Sequence, residues 1–324
     1  MENKIVVSVV IVNWNAKRYL EECLSSLTQE VCAFPMEIIV VDNASTDGSP
    51  GMIVEKFPHV KLINNKENLG FARANNIGIK QASGNYLALV NSDVHVLKDC
   101  ITKLVEFCEK NTEVGMVGPR IIGGDEKQQI SCRREPSIWN TLCRAIALDA
   151  VFPRSRLFNG NYSGRSDQDS THSVDILSGC FWLINRRALE VVGGLDESFF
   201  IYGEDMDWCK RFRDANWDVV FVPHAQAIHY GGASSANSPI RFFVEKQKAD
   251  IQYWRKHHSR IAVFIYFAIT FLHHGLRIIG YSLRVCVTLG RDQAASYKIR
   301  RSITCIHWLY TGGDMPFESM GRNA

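Results

Sequence analysis

Tyr86-Leu87-Ala88-Leu89-Val90-Asn91-Ser92-Asp93 is an apolar run that halts on three small polar residues. A short run bounded in this way predicts a strand covered on both faces, with a carboxylate at its carboxyl end. In an open α/β sheet that edge is where ligands bind, so these eight residues give both a fold class and a place for a site. Outward from them, residues 5–12 form a β-branched, nearly all-apolar run ending on Asn13-Trp14-Asn15, and residues 37–41 form a second. Between the two, Tyr19-Leu20, Cys23-Leu24 and Leu27 recur at helical spacing. Strand, helix and strand in succession imply a right-handed parallel crossover. Residues 60–64, 114–122, 174–184 and 217–222 predict further strands, and 98–110 and 186–191 predict helices. The fold class is α/β: a doubly wound, mainly parallel, Rossmann-like sheet. With 324 residues and 46% hydrophobic content, the chain buries a full core, which excludes a disordered tail or a disulfide mini-protein.

The segments after these strands carry the polar chemistry. Asp42-Asn43-Ala44-Ser45-Thr46-Asp47-Gly48-Ser49 is dense in turn formers and reads in two ways. Ser45, Thr46 and Asp47 are good caps for a following helix, and Asp42 at a strand end is able to accept hydrogen bonds from a nucleoside. In Asn68-Leu69-Gly70-Phe71-Ala72-Arg73-Ala74-Asn75-Asn76-Ile77-Gly78, the glycines at a helix start serve either packing or close approach of a phosphate to exposed amides. Gly84 reads as the C-cap of that helix. From 123 to 173 the pattern breaks down around Arg133-Arg134, Pro136, Pro153 and a polar patch at 163–173, which predicts a mobile insertion.

Ile11-Val12-Asn13-Trp14-Asn15, Val41 to Ser49, Asn68 to Ala72, Asn75 to Gly78 and Asn91-Ser92-Asp93, in that order, resemble the motifs of inverting glycosyltransferases of the GT-A fold. The subgroup most similar is the bacterial rhamnosyltransferase-like enzymes of glycosyltransferase family 2, which build surface polysaccharides. The resemblance covers residues 5 to about 235. It implies a nucleotide-sugar donor, preferably dTDP-rhamnose with UDP-sugars open, a lipid-linked or oligosaccharide acceptor, and a divalent metal, Mn2+ or Mg2+. Asn13, Asp42, Asn43 and Ser45 are implied to address the nucleoside, with Asp42 on the base. Asn68, Gly70, Arg73 and Asn75 address the nucleotide, together with Asn91 and Ser92 at the strand end. Asp93 is implied to bind the metal. Asn91 stands where the family's DxD-type motif has its first acid, and an amide oxygen ligates a hard cation without bringing charge.

Leu195 to Cys209 contains Glu204, Asp205 and Asp207 within one helical turn. An inverting transfer needs one carboxylate to take the proton of the attacking hydroxyl, and the metal-neutralised diphosphate then leaves without a second protein acid. At about 100° per residue the three acids do not share one face. By the family pattern Asp205 is the base, Asp207 the second choice, and Glu204 an orienting group. A helix N-terminus also attracts acids for its dipole alone. The equivalent of residues 174–184 in similar enzymes faces donor sugar and acceptor, which implicates Gly179 and Trp182; from local sequence a glycine bulge accounts equally well for Gly179. His229 matches a family histidine that reaches the metal or the diphosphate, beside Asp93.

Charge is distributed unevenly. Residues 241–310 hold twelve Lys and Arg against three acids, a net of +9, residues 311–324 carry −1, and residues 1–240 carry −5. A basic tail implies a polyanionic partner. Residues 261–272 are an apolar run interrupted by His273-His274-Gly275 and flanked by arginines, too short for an unassisted span and suited to a helix lying on an anionic membrane; a core helix is the alternative. The expected division is a catalytic domain at 1–237 (nucleotide-sugar half 1–122, mobile insertion 123–173 near the acceptor, acceptor half 174–237) and a basic amphipathic helical tail at 238–324. Ten cysteines without a CxxC pair, and no secretory pattern ahead of the first strand, predict reduced thiols in the cytoplasm, peripheral on the inner face of the cell membrane, with no nucleic-acid partner. A nucleotidyltransferase would need a basic phosphate-contacting motif that Asn13-Trp14-Asn15 is not, and a non-catalytic binding module of this fold would lack the base.

Overall fold

The computed structural model describes residues 5–30, 34–155, 157–159, 169–231 and 239–312. In chain order the elements are β1 (Val7–Asn13), α1 (Lys17–Gln29), β2 (Met36–Asp42), α2 (Ser49–Lys56), β3 (Lys61–Asn64), α3 (Phe71–Gln81), β4 (Tyr86–Asn91) and β5 (Val94–Val96). There follow α4 (Cys100–Lys110), β6 (Val114–Gly123), β7 (Cys132–Arg133), α5 (Ile138–Ala145), α6 (Leu148–Val151), β8 (His172–Ser173), β9 (Ile176–Leu177) and β10 (Phe181–Asn185). The chain continues through α7 (Arg186–Val192), α8 (Glu204–Asp214), β11 (Asp218–His229), α9 (Pro239–His257), α10 (Arg260–Val287) and α11 (Gln293–Thr311).

These form two compact units, residues 1–135 with 163–234 and residues 136–162 with 235–324. Segment 136–162, expected as part of an insertion in the first domain, therefore belongs with the C-terminal helices, where α5 packs against α10. The insertion is also not structureless: it carries β7, α5, α6 and β8, while residues 160–168 lie outside the described residues.

In the first unit the sheet runs β3-β2-β1-β4-β10-β6-β11-β5, with β8 added against β11. β3, β2, β1 and β4 are mutually parallel; β10 runs antiparallel between β4 and β6, and β5 antiparallel to β11. Val7, Val9 and Ile11 alternate onto one face, where Leu20, Leu24 and Leu27 of α1 cover them, and Val10 faces α3 on the other. Burying each such side chain contributes roughly 1.5–3 kcal/mol. Gly78 is there because a β-carbon would overlap Val10, so α3 lies close on the sheet. Gly84 is not a helix cap: α3 ends on Ala82 in an extended conformation, and a β-carbon at Gly84 would sit 2.6 Å from the Ser8 amide nitrogen.

Two boundaries change the functional reading. Asp93 is followed directly by β5, whose pairing with β11 sets it at the end of that strand. In the second unit His273-His274-Gly275 interrupt nothing, because α10 is one helix of 28 residues. A helix of that length spans about 42 Å. It is long and apolar enough to cross a membrane by length and composition, which corrects the expectation of a segment too short to do so.

Candidate active site

Register places the strand ends side by side: Asn13 is paired with Asp42 across β1 and β2, and Val12 with Asn91 across β1 and β4. Asn13 Nδ2 donates to Asp42 Oδ1 at 2.8 Å and to Ser45 Oγ at 3.1 Å, and the Ser45 amide donates to Asp42 Oδ2 at 2.8 Å. Asn15 closes the clasp by accepting the Thr46 amide on its side-chain oxygen at 2.7 Å. Asp47 receives the Lys17 amide at 2.7 Å and the Ser49 amide at 3.0 Å, so of the three expected caps it alone serves, and it serves the first turns of both α1 and α2. Asn13 and Asp42 are almost fully buried. Each oxygen of Asp42 is engaged within the loop and keeps a second lone pair, so the residue first shapes the wall that a base would lie against.

The segment 68–78 behaves differently from the phosphate-approach reading. Gly70 has φ +81°, and a β-carbon there would meet the Phe200 carbonyl oxygen at 2.6 Å; the Phe71 amide donates to that same oxygen at 2.8 Å. The Asn68 side-chain oxygen takes the Gly70 amide at 2.9 Å and the Asn43 amide group at 3.2 Å, and Asn43 Oδ1 accepts from Asn65 at 2.8 Å. Asn75 bonds back to Phe71 within its own helix. The amides of Gly70 and Phe71 are thus spent on protein oxygens, and the side chains of Asn43, Asn68 and Asn75 are bonded within the protein. Arg73 remains more than half exposed, 3.9 Å from Glu197. Sequence reading passed over Asn76, which is the stronger anchor: it donates to the Leu195 carbonyl at 2.8 Å and to Glu197 at 3.0 Å and accepts the Leu195 amide at 2.9 Å, tying the acidic loop to α3.

The opposite side of the edge holds two carboxylates in contrasting company. Pairing of β5 with β11 brings His229 Nε2 to 3.3 Å from Asp93 Oδ1. Gln129 Nε2 donates to the His229 carbonyl at 2.8 Å, so its Oε1 is turned to His229 Nδ1 at 2.9 Å. That fixes the proton on Nδ1 and leaves Nε2 facing a carboxylate. An acidic oxygen beside an imidazole nitrogen suits a manganese-like ion. The residues present fit a divalent cation in this way. Among the described residues no third His, Cys, Asp or Glu completes a cluster, so remaining ligands would come from the substrate or water. Gln129 carries no sequence motif and was missed.

Asp205 occupies the second position of α8, after Tyr202 and Gly203 have both taken left-handed backbone angles. One of its oxygens pairs with Arg133 of β7 and the other accepts the Met206 amide at 2.8 Å. A β-carbon at Gly179 would press on the Trp182 ring at 3.2 Å and lie in ordinary contact with Asp205 at 3.6 Å, so the stretch before β10 runs beside the acid. The neighbouring Cys180 thiol is pushed up to about 12, first by burial, and the charges of both Asp93 and Asp205 also raise it. Gly179 stands beside Asp205, and the next residue, Cys180, accepts the amide of Asn91, two residues before Asp93, at 2.9 Å. Asp207 is corrected as a candidate base: it is wholly buried and bound at 2.8 Å to Arg211, which also holds the Val192 and Gly194 carbonyls. Trp182 is corrected likewise, being fully buried with its ring edge-on to Trp208 at 5.4 Å beneath the site. Glu204 is buried at the start of α8. Ser92 and Asn91 are half-buried at the edge, with the Asn91 amide bonded to Cys180.

The sequence profile of glycosyl transferase family 2 matches residues 8–193, more than half of the chain. The chain belongs to that family. It is a glycosyltransferase with the GT-A fold. It is 29% identical over 265 residues to an N-acetylglucosaminyl-diphospho-decaprenol L-rhamnosyltransferase of Mycobacterium tuberculosis, covering 78% of this chain and 85% of that one. It is 26% identical over 227 residues to the low-salt glycan biosynthesis hexosyltransferase Agl10 of Haloferax volcanii, covering 69% and 66%. Among solved structures, a mannosyltransferase from Pyrobaculum calidifontis in complex with GDP-Man and Mn2+ superposes with a TM-score of 0.53 at 16% identity, over 98% of this chain and 79% of that one. Residues 1–349 of S. aureus TarS in complex with UDP-GlcNAc superpose with a TM-score of 0.53 at 19% identity, over 94% and 81%. The family assignment supports nucleotide-sugar transfer in glycan synthesis.

Proposed function

We propose that this glycosyltransferase moves rhamnose from dTDP-rhamnose, with inversion, to a lipid-linked glycan acceptor. The observation that carries the reading is that the stretch Gly179-Cys180 runs between the two pairs: Gly179 stands beside Asp205, which is paired with Arg133, and Cys180 is bonded to Asn91 of the strand end that leads to Asp93, which is paired with His229. The donor nucleoside lies against the Asn13–Asp42–Ser45 wall. The acceptor hydroxyl attacks the anomeric carbon as its proton passes to Asp205; the bond from that carbon to the diphosphate oxygen breaks, and the diphosphate leaves with the electron pair. Arg133 and the Met206 amide hold the carboxylate in one orientation for that transfer. A divalent cation, Mn2+ or Mg2+, held by Asp93 and His229, would neutralise the charge that develops on the leaving diphosphate. Similarity to an enzyme named for a diphospho-decaprenol substrate supports the lipid-linked acceptor.

Ile261, Phe264, Leu272, Leu276, Ile279, Leu283 and Val287 are exposed along one stripe of α10, and Arg255, Lys256, Arg260, Arg284 and Arg291 stand towards its ends. This pattern suits a helix lying on an anionic leaflet, which would keep the enzyme peripheral on the cytoplasmic face, beside a lipid-linked acceptor. A thermal-shift screen of dTDP-rhamnose, UDP-sugars and GDP-mannose, each with and without Mn2+, tests the donor, because a ligand that binds the folded state raises Tm by mass action. dTDP-rhamnose with Mn2+ is expected to give the largest rise. A larger rise with a UDP-sugar replaces the donor, and no rise with any sugar nucleotide overturns the reading.

A further inference from the structure

A narrow ribbon beside Asp205 is held in place by charges that take no direct part in the transfer. β7 and β9 form a two-stranded sheet of their own, with Cys132 opposite Leu177 and Arg133 opposite Ile176. At one end the Ser178 amide donates to the Ser131 carbonyl at 2.8 Å, and at the other the Glu135 amide donates to Asp175 Oδ2 at 2.9 Å. Two strands of this length are marginal by themselves, so their place depends on what they lie against.

The support comes from α8. Asp205, Cys209 and Arg213 follow one another at intervals of four residues, which sets them on one stripe of the helix about 12 Å long. Each of the three meets the ribbon. Asp205 pairs with Arg133, Cys209 Sγ accepts the Leu177 amide at 3.4 Å, and Arg213 Nη2 donates to Glu135 Oε2 at 2.7 Å. Arg213 Nη1 also stands 3.7 Å from Asp175 Oδ1, and Lys210 Nζ stands 3.7 Å from Glu135 Oε1. Arg133 and Glu135 are two residues apart and both turn to α8, the first to its opening turn and the second to its last. The side chains of Lys210, Arg213, Glu135 and Asp175 are 20% to 43% exposed, so they form a half-buried network rather than one solvated pair, and a network of that kind fixes geometry where a lone surface pair contributes little.

We propose that Glu135, gripped by Arg213 and Lys210, is a positioning residue for the transfer: it keeps Arg133 in register beside Asp205, so that the carboxylate meets the acceptor hydroxyl in one orientation. Glu135 acts through Arg133 and touches no reacting atom. This role rests on Asp205 being the base, as read above. A tie that served stability alone would lower Tm and leave turnover per folded molecule as it is.

The test uses the full chain and follows release of the nucleoside diphosphate from dTDP-rhamnose, or from the UDP-sugar that replaces it, with a lipid extract as acceptor source. Glu135→Gln is expected to lower kcat about tenfold with the donor KM unchanged, because a positioned group has shifted while the nucleoside wall has not. Arg133→Gln should cost at least as much. Adding Glu135→Gln to it should cost less than about twofold more, since a tie that acts through another is not additive with it. Glu135→Asp, which keeps the charge, should recover most of kcat. Asp214→Asn removes the pair of Lys210 with Asp214 at 3.1 Å, which does not reach the ribbon, and should leave kcat at the wild-type value. Where Glu135→Gln does not fold, Arg213→Lys takes its place, because it keeps the charge and loses the fork, and the same non-additivity with Arg133→Gln is expected. An unchanged kcat in Glu135→Gln whatever its Tm, or a loss that multiplies in full with that of Arg133→Gln, overturns the positioning role and leaves Asp205 as the base. Turnover retained in Asp205→Asn overturns the base, and the positioning role with it.

Discussion

The two units differ in how their buried polar groups are paired. In the catalytic unit, side chains at the strand ends are bonded mostly to one another: Asn13 to Asp42 and Ser45, Asn43 to Asn65 and Asn68, Asn76 to both sides of Leu195. In the C-terminal unit, His274 Nδ1, Ser302 Oγ and the Nε atoms of Arg277 and Arg301 are buried without a hydrogen-bond partner among the described residues. The first arrangement fixes loop geometry before any substrate arrives, which is what a site that stabilises developing charge requires. The second leaves a deficit that a change of pH can act on.

The contrast is broken most strongly at α8. Asp205→Asn should lower kcat about 10^2 to 10^4-fold with donor binding retained, since it removes the proton acceptor and little else. Asp207→Asn should do the reverse: stability falls by about 3 kcal/mol, because Arg211 loses its buried partner, while activity per folded molecule persists. Steady-state kinetics beside denaturant titration separates the two, and comparable kcat losses in both variants would dismantle the assignment of roles.

A smaller effect is expected at Gln129. Gln129→Leu frees the His229 ring, so half-maximal activity should need about 10 to 100-fold more Mn2+, with Tm little changed in the absence of metal. A Mn2+ titration that matches wild type would remove Gln129 from the site.

The smallest effect sharpens the other half of the comparison. His273 and His274 are both lowered to about 4, first by burial; for His273 the further charges facing it are Arg277, Arg144 and Asp149, and for His274 they are His273, Arg277 and Arg301. Below the ordinary histidine value of 6.5 the unfolded chain takes up protons that the folded chain refuses. The stability these residues contribute is therefore complete above pH 6.5 and is lost as pH falls towards 4. Thermal unfolding between pH 7 and pH 4 should show a falling Tm that His274→Gln partly flattens; an unchanged slope in that variant would place the pH sensitivity elsewhere.

Much of the frame is legible from local pattern. The runs at 5–12, 37–41 and 86–91 are strands because an apolar β-branched stretch has one way to be buried, and the polar residues that end them fall on one edge because the strands are parallel and in register. The family motifs pointed to Asp93, His229 and Asp205, and the fold sets Asp93 against His229 and Asp205 beside Gly179. Roles at adjacent helical positions were harder. Asn75 and Asn76 look interchangeable in sequence, as do Asp205 and Asp207, and each pair is separated by which face the helix turns inward.

Sequence alone determined the α/β sheet and the family, because these depend on hydrophobic periodicity and on short motifs. Tertiary structure decided the rest. Only the folded chain joins Gln129 to His229 and Arg133 to Asp205, across 100 and 72 positions, fills the space at Gly70 with Phe200, and makes one helix of α10 through His273-His274-Gly275. The physical reason is that a buried polar group takes whichever partner packing brings near, and the identity of that partner is not encoded within a few residues of it.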